Sequence, residues 1–364
     1  RNYTTNPDNP ITGEVWYNET DQVLKFQYPN VTTAGSWATT GSLNQARNQL
    51  SAAGQAPRAT SLVFSGFNNP TKYAQTEQFN GASWTELNDL NTGAAARFGF
   101  GISTAAIAAG GYNGPPGDIA VTESWNGSNW TEVNDLNTGR YGGGSAGLLT
   151  GGLAFGGFST PPSVREAKTE TWNGTNWTEV NDLNTAKNEG GSCGATNTAA
   201  LQFGGTTGSI TGTTESWNGT NWTEVNDLNT ARVGLAGAGN YTSALAFGGG
   251  TPTLTGASEV WNGTNWTEEG DLNTARNYLT GGGTTNASAI AAGGQDPSTT
   301  GVSELWTGSG AQIGGWATGG TMNTARRQFS SAGTQDSGLA AAGYDGTAYT
   351  ADCELYNGTN WTEV

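Results

Sequence analysis

Thr214–Arg232 reads TESWNGTNWTEVNDLNTAR. Asn218-Gly219 sits between two short runs that each carry a Trp. Asn and Gly both tolerate positive φ, so this dipeptide is a strong hairpin signal. If Asn218–Asn221 is a four-residue loop, Trp217 and Trp222 face one another across two antiparallel strands. Glu215 then lies opposite Glu224, a like-charge pairing that is unfavourable without a cation nearby. The stretch recurs about every 45 residues. Such self-similarity points to one supersecondary unit per copy, with each unit burying its faces against its neighbours.

Three markers define the copies. A first aromatic falls at Phe79, Trp125, Trp172, Trp217, Trp261, Trp306 and Tyr356, with a Trp following at 84, 130, 177, 222, 266, 316 and 361. A cation opens each unit: Arg47, Arg97, Arg140, Lys187, Arg232, Arg276 and Arg326. A Glu stands two residues before each first aromatic: Glu77, Glu123, Glu170, Glu215, Glu259, Glu304 and Glu354. Within a unit the residues read as four strands: a small-residue run such as RVGLAGAG, an apolar run ending in Gly such as ALAFGG, then TESW and WTEV. Small residues first and Trp last suit a wedge whose inner strand lies where space narrows. The expected fold is all-β: a seven-bladed β-propeller over residues 37–364, with a short N-terminal β-hairpin segment over 1–36. WATTGSLNQAR at Trp37–Arg47 matches WATGGTMNTAR at Trp316–Arg326, giving eight outer-strand Trp segments for seven units. The Trp37 and Trp361 strands thus compete to close the ring.

Composition narrows the function. The 364 residues include 58 Gly and 14 Trp, and only 12% are charged, with a net charge of −16. So many large rings are of little use to a disordered chain. The negative charge disfavours nucleic acid as a partner. No apolar run approaches the ~18 residues of a membrane helix, and no signal-peptide pattern is visible. Cys193 and Cys353 lie in widely separated units, so their spacing gives no ground for pairing them or for reading a redox compartment. Histidine is absent, which removes the usual general base and the commonest metal ligand. The expectation is therefore a protein without catalytic residues, metal or cofactor.

The cation opening the first strand, Gly-Gly ending the second, Glu-x-aromatic in the third and Trp in the fourth resemble the kelch repeat. Ala244–Arg276 matches that motif link by link, and the resemblance spans roughly residues 42–364. Some kelch propellers resemble a copper oxidase acting on galactose. Its His ligands have no counterpart here. NPDNPITGEVWYNETDQVLKFQYPN, Asn6–Asn30, resembles hairpin modules of bacteriophage tail and fibre proteins. Together with the WNGTNWTEVNDLNTAR units, it is similar to kelch-repeat structural proteins of marine phages that infect cyanobacteria. The resemblance implies a virion or extracellular location and a place in a larger assembly, with the N-terminal segment meeting other virion proteins.

Candidate sites follow from the pattern. The seven cations and seven glutamates are expected to form structural ion pairs. Asp89, Asp135, Asp182, Asp227 and Asp271 supply one carboxylate per turn, which suits turn chemistry better than calcium. The Asn-x-Ser/Thr triplets fall in the hairpin turns and are expected to be bare in a phage or bacterial setting. The loops after each second strand vary, while the outer hairpins barely change. Variable loops on a rigid scaffold are where binding concentrates. Tyr73, Tyr112, Phe158, Tyr344 and Tyr349, with Asp118 and Asp345 as acceptors, are the candidate contacts for a host-surface glycan. The alternative is a glycan hydrolase or lyase that uses loop carboxylates. Thr307–Gly315, TGSGAQIGG, replaces the Asn-Gly turn of the sixth unit and reads as a docking knob or a tolerated insertion.

Overall fold

The hairpin in the quoted stretch forms as its turn chemistry requires. Asn218 Oδ1 accepts the amides of Thr220 and Asn221 at 3.0 and 2.9 Å, and Gly219 takes φ +92°. Trp217 pairs with Trp222 and Glu215 with Glu224. The two indoles lie 5.4 Å apart. This computed structural model describes residues 2–3, 15–18, 23–26, 29–31, 34–114, 117–309, 312–314, 323, 330–334, 337–344, 347–356 and 361–364.

The chain divides into two units, Ala34–Gly308 and Arg1–Thr33 with Ser309–Val364. The first holds six four-stranded antiparallel sheets among its described residues. Blade 1 comprises Ser51–Ala52, Leu62–Phe64, Thr76–Phe79 and Trp84–Leu87. Blades 2 to 5 start at Phe98, Gly144, Gly191 and Ala236, and end at Val133, Val180, Val225 and Glu269. Blade 6 takes Thr280–Thr285, Ser288–Ala292 and Ser303–Thr307, and its outer strand is Ser36–Thr40.

Three independent features close these six sheets into a ring. The buried core forms six clusters, each spanning two neighbouring blades; one of them joins Ile290 and Ala292 of blade 6 to Val63 and Phe79 of blade 1. Each outer-strand indole donates to a hydroxyl on the third strand of the preceding blade: Trp84 to Ser303 at 3.1 Å, Trp37 to Ser258 at 2.9 Å and Trp266 to Thr214 at 3.2 Å. Trp222 to Thr169, Trp177 to Thr122 and Trp130 to Thr76 complete the circle. At the axis, six residues that each follow a linker Leu by six positions form a closed cycle of backbone hydrogen bonds. Ala96 donates to Gln49, Gly142 to Ala96, Glu189 to Gly142, Gly234 to Glu189, Tyr278 to Gly234 and Gln49 to Tyr278, all at 2.6–2.9 Å.

The ring therefore closes with six blades, not the seven expected. The seventh sheet exists, with strands Ser330–Thr334, Ser337–Tyr344, Tyr349–Tyr356 and Trp361–Glu363, but it belongs to the other unit. The physical reason lies in the sixth unit. Thr307–Gly315 puts nine residues between Trp306 and Trp316, where other copies have a four-residue Asn-Gly loop. Without that turn the local hairpin loses its preorganised connection. The Trp37 segment takes the place instead, with Trp37 opposite Trp306 and Thr39 opposite Glu304. The Trp361 strand pairs within its own sheet. Within Thr307–Gly315 the ring unit ends at Gly308, and Gln312–Gly314 pairs with Pro29–Val31 in the other unit. That unit also contains the N-terminal hairpin, Val15–Asn18 against Val23–Phe26.

Small residues line the axis because neighbouring first strands approach closely. A Cβ on Gly237 would lie 2.5 Å from Ser192 O and 2.7 Å from Phe203 Cζ. Hydroxyls bridge the same gap, as where Ser145 Oγ donates to Gly99 O at 2.8 Å.

Candidate functional site

The linker that ends each quoted stretch builds the frame of the site. Leu228 is buried. Asp227 Oδ1 accepts the amide of Thr214 in its own blade at 3.1 Å; Asp135 and Asp182 do the same for Thr122 and Thr169. Asn229 crosses to the next blade, donating its main-chain and side-chain N–H to Glu259 Oε2 at 2.7 and 2.9 Å. Arg232 then pairs with the other oxygen of Glu259 at 2.9 Å.

The same buried pair recurs around the ring: Arg47–Glu77 at 2.7 Å, Arg97–Glu123 at 3.1 Å, Arg140–Glu170, Lys187–Glu215 at 3.5 Å and Arg276–Glu304. Glu354 accepts the amide of Asn323 at 2.7 Å in the seventh sheet; Arg326 lies outside the described residues. Burial pulls the Arg232 and Lys187 pKa values below their ordinary range, and the facing glutamate partly offsets this. Arg97 is out of step with the others. Ala94 occupies the cation position of blade 2, and Arg97 stands three residues later at the start of the first strand. Its guanidinium still reaches Glu123, and it donates to Thr92 O, Ala108 O and Val121 O at 2.8–3.1 Å.

The cycle of six at the axis marks the mouth of the ring. All six residues take positive φ, from 49° at Gln49 to 67° at Gly234, and four of them are not glycine. Left-handed backbone costs a non-glycine residue on the order of 1–2 kcal/mol, so the surrounding ring must impose it. The variable loops lie on this face, because the third residue of each loop bridges to the linker residue just before the cycle: Phe67 to Asn48, Tyr112 to Ala95, Tyr141 to Phe158, Thr206 to Asn188, Gly250 to Val233 and Gln295 to Asn277. The face is therefore uneven. Its blade 1 to 3 half carries Phe67, Tyr112 and Phe158, and its blade 4 to 6 half carries Thr206, Gly250 and Gln295.

On the aromatic half the side chains form a continuous arc. Lys72 Nζ lies 5.2 Å from the Phe67 ring and 5.4 Å from that of Tyr112. Tyr112 meets Tyr141 in a tilted contact at 5.3 Å, Tyr141 meets Phe158 edge-on at 5.8 Å, and the Arg165 guanidinium lies 5.9 Å from the Phe158 ring. Arg165 Nε donates to Asn188 Oδ1 at 3.1 Å, fixing the end of the arc.

Inside the arc, a cavity of about 110 Å³ is lined by Gln49, Tyr141, Glu189 and Tyr278, with Leu50, Leu235 and Leu279 below. A second space of about 140 Å³ continues along the axis past Ser51, Ser145, Ser192 and Thr280. Tyr278 Oη donates to Glu189 Oε2 at 3.3 Å. Burial pushes the Tyr278 phenol up to about 12, with the Glu189 charge adding to the shift, so its proton stays on across the neutral range. Burial also holds the Glu189 carboxyl above its ordinary value, against the opposing effects of the Tyr278 hydrogen bond and Arg165. A carboxyl raised by folding stabilises the fold below its unfolded pKa and loses that contribution as pH rises through the folded one. Glu189→Gln is therefore expected to melt higher than the parent at pH 8 and to lose this advantage near pH 4, as read by paired thermal melts.

The structure brings together three of the residues singled out from sequence. Tyr112 and Phe158 join the arc through Tyr141. Asp118 ties blade 2's loop to blade 3's, accepting the amide of Thr160 at 2.7 Å and its hydroxyl. Tyr73 serves the linker instead, accepting from Gln45 Nε2 at 3.1 Å. Tyr344 and Tyr349 pair with each other in the seventh sheet, in the other unit, and Asp345 lies outside the described residues. Tyr141, Glu189 and Tyr278 were not singled out, because their positions read as the start of a small-residue strand. The available signal was a charged or bulky residue at Glu189 and Tyr278, where two other copies carry Gly142 and Gly234; Tyr141 stands one position earlier, where other copies carry Asn, Ala or Val, and only its size marks it.

Among solved structures the chain is similar to YjhT, a kelch-repeat propeller protein, with a TM-score of 0.60 and 10% identity over 74% of this chain and 95% of that one. The fold is that of a kelch-repeat propeller. The matched share is close to that of Ala34–Gly308 alone. No family model matches the chain, and no curated relative does.

Proposed function

We propose that the chain is a non-enzymatic structural or appendage protein of a phage particle, whose propeller recognises a host-surface glycan on the face around the axial mouth. The phage assignment rests on the near-verbatim outer hairpins and on the GEVWYN hairpin of the N-terminal segment, which would attach the protein to its neighbours in the virion. The glycan assignment rests on one observation, the arc Tyr112–Tyr141–Phe158 bounded by Lys72 and Arg165. Aromatic rings cover the C–H faces of sugars, and flanking cations supply donors to their hydroxyls. The backbone cycle beneath holds the arc with little freedom left to lose on binding, which favours affinity.

The glycan-active enzyme reading needs two carboxyl groups flanking one bond. Glu189 is the one carboxylate lining the mouth among the described residues, and the nearby Asp118 and Glu166 accept from Thr160 and Ser159. This favours binding over turnover. The test is a glycan array probed with the full chain and with the Tyr141→Ala and Phe158→Ala variants. The parent is expected to retain a defined set of glycans uncleaved, and each variant to lose at least about tenfold in affinity, the scale of one hot-spot aromatic. Release of reducing sugar, or variants that bind like the parent, would reject the reading.

A further inference from the structure

The mouth of the axis is chemically one-sided. Around its cavity of about 110 Å³ stand a carboxylate, Glu189, and two phenols, Tyr141 and Tyr278. The Tyr278 proton is committed to Glu189. Arg97 also lines the cavity, but its Nη atoms are directed to Glu123 and to three backbone carbonyls. The backbone amides of the six-membered cycle are spent on one another. What remains is the Glu189 carboxylate, the Tyr141 and Tyr278 rings, the Gln49 carboxamide and a buried Arg97 Nε–H that has no acceptor, within a chain of net charge −16. Negative charge focused into a cleft draws cations, and aromatic faces beside a carboxylate stabilise an ammonium group better than a neutral hydroxyl. Glu189 is held there by a left-handed backbone at φ +56°, and Tyr278 by one at +52°.

We propose that this mouth seats an ammonium group of the ligand, with Glu189 as counter-ion and Tyr141 and Tyr278 lining the seat. The inference rests on the glycan reading and narrows it: the preferred ligand is an amino sugar with a free amine. The size agrees. A cavity of roughly 150 Å³ holds one benzene ring, so this smaller space takes the ammonium group projecting from the sugar's edge, leaving the pyranose ring on the arc.

The test titrates the full chain at low salt with glucosamine, N-acetylglucosamine, glucose and choline, each against the parent and Glu189→Gln. Glucosamine is expected to bind at least tenfold tighter than the two neutral sugars. Added salt should weaken it, and Glu189→Gln should erase the preference for glucosamine over the neutral sugars. The melting curve of Glu189→Gln reports whether the fold is intact. A preference that is missing, or that survives in Glu189→Gln, overturns the ammonium seat. If the neutral sugars bind as tightly as glucosamine, glycan recognition stands and the seat falls. If choline binds in a Glu189-dependent way and no sugar does, the seat stands and glycan recognition falls. If no probe binds, both fall.

Discussion

Trp37→Ala is expected to destabilise the propeller by about 3–5 kcal/mol, the range for truncating a buried Trp. The indole is 6% exposed, sits 5.3 Å from Trp306 and 4.9 Å from Phe247, and donates to Ser258 Oγ at 2.9 Å. Losing it removes packing between blades 5 and 6 and breaks one link in the circle of six indole–hydroxyl bonds. It also weakens the strand that closes the ring, so the damage is not confined to one blade. Urea melts of parent and variant measure it. Trp37→Phe keeps the ring packing and loses the hydrogen bond, and should cost about 1–3 kcal/mol. A Trp37→Ala chain as stable as the parent would mean that Ser36–Thr40 does not close the ring.

Glu259→Ala should cost a similar amount, about 3–5 kcal/mol, because removing one partner strands a buried charge. Arg232 would keep its bonds to Gly248 O and Ala257 O but lose its counter-charge. Asn229 would lose the Glu259 acceptor of its main-chain and side-chain N–H, one of the ties between blades 4 and 5, and keep only its side-chain bond to Trp266 O at 3.0 Å. The decisive control is Arg232→Met combined with Glu259→Leu. A buried ion pair is weak evidence of net stability, and an apolar replacement of similar volume is often neutral. The double variant should therefore recover most of the loss in the same urea melts. If Glu259→Ala melts like the parent, the pair does not bear on stability.

Much of this was legible in the sequence because local chemistry decided it. The Asn218-Gly219 turn fixed the hairpin register, and that register placed Glu215 opposite Glu224. The axial position of the small residues followed from their order within each unit. The blade number was not legible, because the copies are nearly interchangeable: SWATT at Ser36–Thr40 and GWATG at Gly315–Gly319 fit the same edge by sequence. Which one takes it depends on loop closure through Thr307–Gly315 and on geometry far along the chain. Arg97 misled for a related reason. A long side chain reached the same glutamate from three residues away, so the marker held while the alignment slipped. At the mouth, Glu189 and Tyr278 were hidden because only the closed cycle brings them together from blades 4 and 6.

The propeller closes with six blades through the Trp37 strand. Ala38 and Leu305 are directly opposed across the closing pair, within the reach of a disulfide between facing strands. Ala317 takes the same place if the Trp316 segment closes blade 6 instead. The measurement is disulfide formation in two full-length variants on a Cys353→Ser background, Ala38→Cys with Leu305→Cys and Ala317→Cys with Leu305→Cys, read by mass spectrometry under native conditions. The six-bladed ring predicts a near-complete intramolecular bridge in the first variant and little in the second. The reverse result, a bridge in the Ala317→Cys variant and none in the Ala38→Cys variant, would contradict it.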